Sequence, residues 1–228
     1  PRSTPSNSSA ASDVYKRQGM LRRVDASFAY LPVGLRVLNR AAALVREEMK
    51  RAGAVEVRSP TLWPEEAVTP AGEPDQSGGS GLRLTDRQGR VHVLAPADGS
   101  LMVRAVRDDL RSYRQLPLLL HQFRTEIRGE ARPGPGLLRM REQTVEEACA
   151  LSADTAAGEE CLEAILEAYG RVLKRCGLTW LLAAAEPAFG GAAEACAFAL
   201  PVEAGMGQYV RCRECGRAAD RPPCRSGS

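Results

Sequence analysis

The chain has 228 residues, of which 44% are hydrophobic but only 5% aromatic, which suits one domain with a core built mainly from Ala, Leu and Val. With 31 basic against 28 acidic residues the formal charge is +3, too balanced for a chain devoted to gripping the DNA backbone. No apolar run reaches the ~20 residues of a membrane-spanning helix, and no signal-peptide core is present, so the expectation is a cytoplasmic protein without membrane contact.

Residues 1–18, "PRSTPSNSSAASDVYKRQ", are rich in Ser and Pro and lack apolar periodicity, which predicts disorder. Their second part resembles translated adaptor sequence, so the stretch is set aside as a disordered or artefactual tail. From 34 to 52, Leu35, Leu38, Ala42, Val45 and Met49 recur at helical spacing, and Gly53 follows as a stop. "VEVRSPTL" is a strand candidate carrying Pro60, and "LRLTDRQGRVHVLAP" reads as a hairpin turning at Gln88-Gly89. A helix is expected over 100–114, then an apolar strand, "LPLLLHQFRTEI", and an antiparallel return, "LLRMREQTVEEACAL". The link between these strands mixes arginines and glutamates around Pro133-Gly134-Pro135-Gly136.

Asp154 caps a predicted helix over 155–176 with Leu162, Ile165, Tyr169, Val172 and Leu173 inward. "TWLLAAAE" and "GQYVRCREC" are shorter strand candidates, and residues 221–228 read as a disordered tail. Helices interleaved with hairpins predict an α+β fold with a mostly antiparallel sheet. His92 and His121 alternate with apolar neighbours and read as structural, and Trp63 and Trp180 read as packing residues.

The 7 cysteines are an odd count, spread over helix-like and strand-like segments, which argues for reduced thiols rather than a disulfide framework. Cys212 and Cys215 alone have suggestive spacing. They supply half of a four-ligand zinc site, so zinc is not expected, and a turn with free thiols is the simpler reading.

In this order the pieces resemble a known family. "YLPVGLRVLNRAAALVREEMKRAGAVEVRSPTL" is similar to the first signature of bacterial-type prolyl-tRNA synthetases, which are class II aminoacyl-tRNA synthetases, and "LRSYRQLPLLLHQFRTEIRGEARPGPGLLRMRE" to the second. The likeness runs from 19 to 220. It implies a class II antiparallel sheet flanked by helices, ATP and Mg2+ as co-substrate and ion, attachment of proline to tRNA, and a homodimer formed through the first-signature helix and strand with Pro60 at the interface.

The second signature is an Arg-x-Glu, a loop and a charged return strand. By resemblance, Arg128 forks onto the ATP α-phosphate as catalytic arginine, Glu130 orients the nucleotide, and Arg139, Arg141 and Glu142 complete the ATP site. The competing reading is a solvated charged hairpin whose cross-strand pairs are worth only ~0.2–1 kcal/mol each. Glu147 stands where the family has Asp, and Gly190 and Gly191 match a family Gly-Gly turn; these three line the implied substrate pocket.

Several departures fall on pocket positions. The family's Thr-x-Glu amine-binding loop reads Ala97 and Gly99, the adenine-stacking Phe is Gln143, a Lys is Glu146, a Tyr is Cys149, and a Ser-His-Glu wall has become alanine and cysteine. The third signature, with its second arginine, is not found, and the editing and anticodon-binding domains are not expected in this chain. The expectation is therefore a synthetase-like core inactive or impaired on its own. The alternative is a non-catalytic paralogue that dimerises and binds nucleotide or tRNA.

Overall fold

The computed structural model describes residues 13–25, 27–68, 82–94, 100–127, 137, 140–185, 195–202, 208–214 and 218–220. Two compact units divide the chain, Pro1–Tyr169 and Gly170–Ser228.

In the first unit, residues 13–17 form a helical turn, α1, so the tail expected to be disordered is helical from 13. Lys16 pairs with Asp13 at 2.7 Å and lies 5.5 Å from the Phe28 ring centroid. The antiparallel hairpin β1 (Leu21–Val24) and β2 (Ser27–Tyr30) follows. Helix α2 (Pro32–Arg51) begins with proline, whose missing N–H has no partner to lose at a helix start, and ends with Lys50 and Arg51 against the negative end of the dipole. Gly53, at φ +85°, turns the chain out of it. Gly34 is required for a different reason. A Cβ there would stand 2.2 Å from the Met20 carbonyl oxygen, which already accepts from the Leu31 amide at 2.9 Å.

The predicted strand at 55–62 is split into β3 (Val55–Glu56) and β4 (Leu62–Pro64), with helix α3 (Glu65–Val68) behind it. β4 pairs with β6 (Val91–Leu94), and β6 with β5 (Arg83–Thr85), all antiparallel. The expected hairpin turn is present: Asp86 Oδ1 accepts from the amides of Gln88 and Arg90, each at 2.9 Å, and Gly89 supplies φ +79°. These amides and the Arg90 guanidinium hold the Asp86 carboxyl well below the usual carboxylate range.

The helix expected over 100–114 is shorter. Helix α4 (Ser100–Val106) gives way to 3₁₀ turns at Arg107–Asp109 and Tyr113–Gln115. Ser112 and Gln115 form a reciprocal capping box that starts the second turn, and Leu116, preceding Pro117, is extended.

Two long strands then form the centre of the unit. β7 (Leu118–Ile127) and β8 (Glu142–Leu151) pair in unbroken antiparallel register from Leu118↔Leu151 to Ile127↔Glu142, and β3 joins β7 in parallel. Asp154 accepts from the Ala157 amide at 2.8 Å and so caps α5 (Thr155–Arg175). The core joins Met49 and Ala54 to Leu119 of β7 and to Cys161, Ile165 and Ala168 of α5. Two expected inward residues are corrected: Leu162 is 53% exposed and Leu35 is 45% exposed. The buried stripe of α5 runs one position earlier, through small Cys161 and Ala168, which lets the helix approach the sheet closely.

The second unit contains the 4-stranded order β10-β9-β12-β11. β9 (Leu181–Ala185) and β10 (Ala195–Ala199) are antiparallel, as are β11 (Tyr209–Arg211) and β12 (Ala218–Asp220), while β12 runs parallel to β9. Trp180 packs edge-on to Phe198 with centroids 4.8 Å apart and lies over Gly170, where a Cβ would meet its ring at 2.8 Å. Helices with mostly antiparallel sheets make the fold α+β, as composition and element order imply.

Candidate functional site

Directly opposed residues of an antiparallel pair share a face, so the register of β7 and β8 sorts their side chains into two sets. One set comprises Gln122 opposite Glu147, Arg124 opposite Val145, and Glu126 opposite Gln143. Gln122 donates through Nε2 to Glu147 Oε1 at 2.5 Å and accepts the Ser59 amide through Oε1 at 2.8 Å. Arg124 Nε lies 3.0 Å from Glu147 Oε2. Gln143 Nε2 donates to Glu126 Oε2 at 2.5 Å. Gln122 and Glu126 are buried with these hydrogen-bond partners, whereas the Arg124 Nε–Glu147 contact is an ion pair without hydrogen-bond alignment. Ser59, Pro60, Thr61, Trp63 and Leu101 wall a narrow cleft of about 10 Å³ against Gln122, Arg124 and Glu147. The Pro60 carbonyl accepts from Trp63 Nε1 at 2.7 Å and fixes the indole there.

A wider depression of about 230 Å³ adjoins it, lined by Arg46, Glu56, Arg58, Phe123, Arg124 and Thr125, among others. Arg46 Nε spans both oxygens of Glu56 at 2.8 and 3.0 Å, and its Cζ lies 4.5 Å from the Phe123 ring centroid.

The other set faces the helices: Leu119 opposite Ala150, His121 opposite Ala148, Phe123 opposite Glu146. Tyr169 of α5 donates to Glu146 Oε2 at 2.6 Å. Glu146 Oε1 stands 3.3 Å from His121 Nδ1, and both atoms are buried without a well-aligned hydrogen bond. Burial pushes the Glu146 carboxyl up to about 7 and the His121 imidazole down. Both shifts favour the neutral forms, in which a protonated carboxyl can donate to the imidazole nitrogen. Burial also raises the Tyr169 phenol and pushes the Cys149 thiol up to about 11, so neither is a nucleophile at neutral pH.

Of the residues singled out from sequence, Arg128, Glu130, Arg139, Gly190, Gly191 and Cys215 lie outside the described residues, as do Ala97 and Gly99. Glu147 lines the narrow cleft, and exposed Pro60 forms its edge. Arg141 reaches Asp25 at 3.5 Å in the β1–β2 turn. Glu142, opposite Ile127, belongs to the set facing away from Arg124. Cys212 is exposed, and no group of three metal-ligating side chains occurs among the described residues. His92 contacts Asp86 at 3.2 Å, as a structural histidine would.

Sequence reading passed over Arg124 and Glu126. Their signal was present, because "RTE" has the same Arg-x-Glu spacing as "RGE" four residues later.

The antiparallel ribbon flanked by helices, with Arg124 and Glu126 on one face, is in keeping with the class of protein that comparison identifies. Residues 82–219 match the family model of the tRNA synthetase class II core domain (G, H, P, S and T), and the chain belongs to that family. Within it, the resemblance is to the prolyl branch. The chain is 41% identical over 177 residues to the proline–tRNA ligase of Paracidovorax citrulli, covering 77% of this chain and 30% of that protein. It is 37% identical over 205 residues to that of Solidesulfovibrio magneticus, covering 90% and 36%. Against that of Thermotoga neapolitana it is 36% identical over 218 residues, covering 95% and 38%. The chain thus spans about a third of the length of these relatives. No helix among the described residues is long and apolar enough to cross a membrane.

Proposed function

We propose that this chain is a prolyl-tRNA-synthetase-type core that binds ATP along the open face of the β7–β8 ribbon. Its family chemistry is attachment of proline to tRNA, with aminoacylation by this chain alone impaired. The observation that carries the reading is the placement of Arg124 and Glu126 on one face of β7, beside Glu147 and the cleft walled by Ser59 to Trp63. The guanidinium is only 10% exposed, where it acts on an anion with little screening. We assign the α-phosphate to Arg124 in preference to Arg128. Glu126 is the nucleotide-orienting carboxylate in preference to Glu130, with Arg139 and Arg141 as outer contributors and Gly190 and Gly191 at the amino acid pocket; Glu142, on the opposite face from Arg124, is left out of the site.

ATP brings Mg2+ as its counter-ion, and the ion would spread the phosphate charge when bound. This chain's own part is to position the phosphate at Arg124 and to keep water from the cleft with Trp63 and Leu101. Gln143 offers a polar amide tied to Glu126 instead of a stacking ring, which weakens adenine binding by about 1–3 kcal/mol by comparison with base stacking on aromatics.

Proline-dependent exchange of pyrophosphate into ATP tests the reading. Slow exchange that requires proline and is lost in Arg124→Ala supports it. Exchange independent of Arg124 contradicts it.

A second reading, a dimerising non-catalytic paralogue, is favoured by the exposed apolar start of α2, where Val33, Leu35 and Val37 are 52%, 45% and 56% exposed. These side chains suit a homodimer through the first-signature helix, with Pro60 at the same interface, and tRNA as a further partner. Light scattering on the purified chain decides between a dimer and a monomer, and a monomer counts against it.

A further inference from the structure

The contact between Arg124 and Glu147 has a consequence for the binding of any anion. Glu147 Oε1 is held by Gln122 at 2.5 Å, Gln122 is itself anchored by the Ser59 amide at 2.8 Å, and Glu147 Oε2 lies 3.0 Å from Arg124 Nε. The side chains are 10% and 18% exposed, so solvent screens the pair weakly. The cleft beside them leaves only about 10 Å³, room for roughly one water molecule.

We infer that Glu147 is a built-in competitor for Arg124: in the free protein its carboxylate takes the guanidinium edge that a nucleotide phosphate must take, so nucleotide enters by displacing a clasp. This rests on the assignment of the phosphate to Arg124. The carboxylate and a phosphate oxygen present the same chemistry to the guanidinium, two anionic acceptors matched to its fork. Gln122 positions Glu147 for that role, since its amide bridges the ribbon to the Ser59 backbone and leaves the second carboxylate oxygen turned to Arg124. Reach is decisive here. An aspartate at 147 is one methylene shorter, keeps the charge and pulls the carboxylate back from the guanidinium.

The test is calorimetric titration of the full chain with Mg-ATP in the parent and in the Glu147→Gln, Glu147→Asp, Arg124→Ala and Arg124→Ala/Glu147→Gln variants, with thermal melts confirming folding. Glu147→Gln is expected to tighten binding about tenfold, the scale of removing one close, weakly screened charge that competes for the guanidinium. Glu147→Asp is expected to fall between it and the parent, and the gain is expected to vanish in the double variant. If binding depends on Arg124 but Glu147→Gln shows no gain, the clasp is overturned while the nucleotide assignment stands. A gain that survives without Arg124, or equal affinities for the parent and Glu147→Asp, reduces Glu147 to background charge and overturns the clasp as well. Parent and Arg124→Ala binding alike defeats the phosphate assignment itself and the clasp with it.

Discussion

The two faces of the β7–β8 ribbon solve the same problem in opposite ways. On the cleft face, Gln122, Arg124, Glu126, Gln143 and Glu147 are joined by short side-chain contacts across the ribbon. On the helix face, Glu146 and His121 sit among apolar neighbours and are driven toward neutrality by burial. A strand that alternates carboxylates across its two faces therefore carries two chemistries, one suited to holding an anion and one suited to holding a proton. Stability belongs to the helix face, and the proposed recognition to the cleft face.

The largest effect that would sharpen this contrast is on the helix face. Leu119→Ala removes a core side chain packed against α2 and α5 and should cost about 2–5 kcal/mol, seen as a lower denaturant midpoint. Nucleotide affinity of the folded fraction should be unchanged, and a large change would break the separation of the faces.

Next comes Glu146. Its folded-state carboxyl is raised to about 7 from an ordinary 4.5, so the folded chain keeps a proton that the unfolded chain releases. That contribution is fully present below about pH 4.5 and is lost as pH rises through about 7. Relative to Glu146→Gln, which stays neutral, the parent should lose roughly 1–3 kcal/mol of stability between about pH 5 and pH 8. His121, whose lowered folded-state affinity for protons acts in the opposite sense as pH falls below about 6.5, is present in both proteins, and its share cancels in the comparison unless the substitution alters it. Urea unfolding of both proteins across that range reads the difference, and parallel curves would mean that Glu146 is ionised throughout.

The smallest expected effect is on the cleft face. Gln143→Leu removes one donor to the buried Glu126 carboxylate and should cost about 1–2 kcal/mol, the scale of one lost hydrogen bond. A loss as large as that of Leu119→Ala would show that the cleft face is structural too.

Much of this frame was legible in the chain. The ribbon, α2 and α5 announce themselves through long apolar periodicity, and the Asp86–Arg90 turn through its Asp and Gly. Leu162 was misread because adjacent helical stripes differ by one position, and tight packing favoured small Cys161 and Ala168 over the larger leucine. The first Arg-x-Glu escaped notice for a related reason. Arg124 and Arg128 are four apart, so alternation assigns them the same parity, and only the register Arg124↔Val145 beside Gln122↔Glu147 shows that the earlier pair lies against the cleft. The neutral Glu146–His121 pair was invisible, since its partners come from β7, β8 and α5 and meet only in three dimensions.

Everything functional turns on whether the Arg124 guanidinium takes the phosphate. Isothermal titration with Mg-ATP of the parent, Arg124→Ala and Arg128→Ala measures it directly. Binding should fall by at least ~10-fold on loss of the charge-assisted contact in Arg124→Ala and change less in Arg128→Ala. Equal heats from the parent and Arg124→Ala would contradict it.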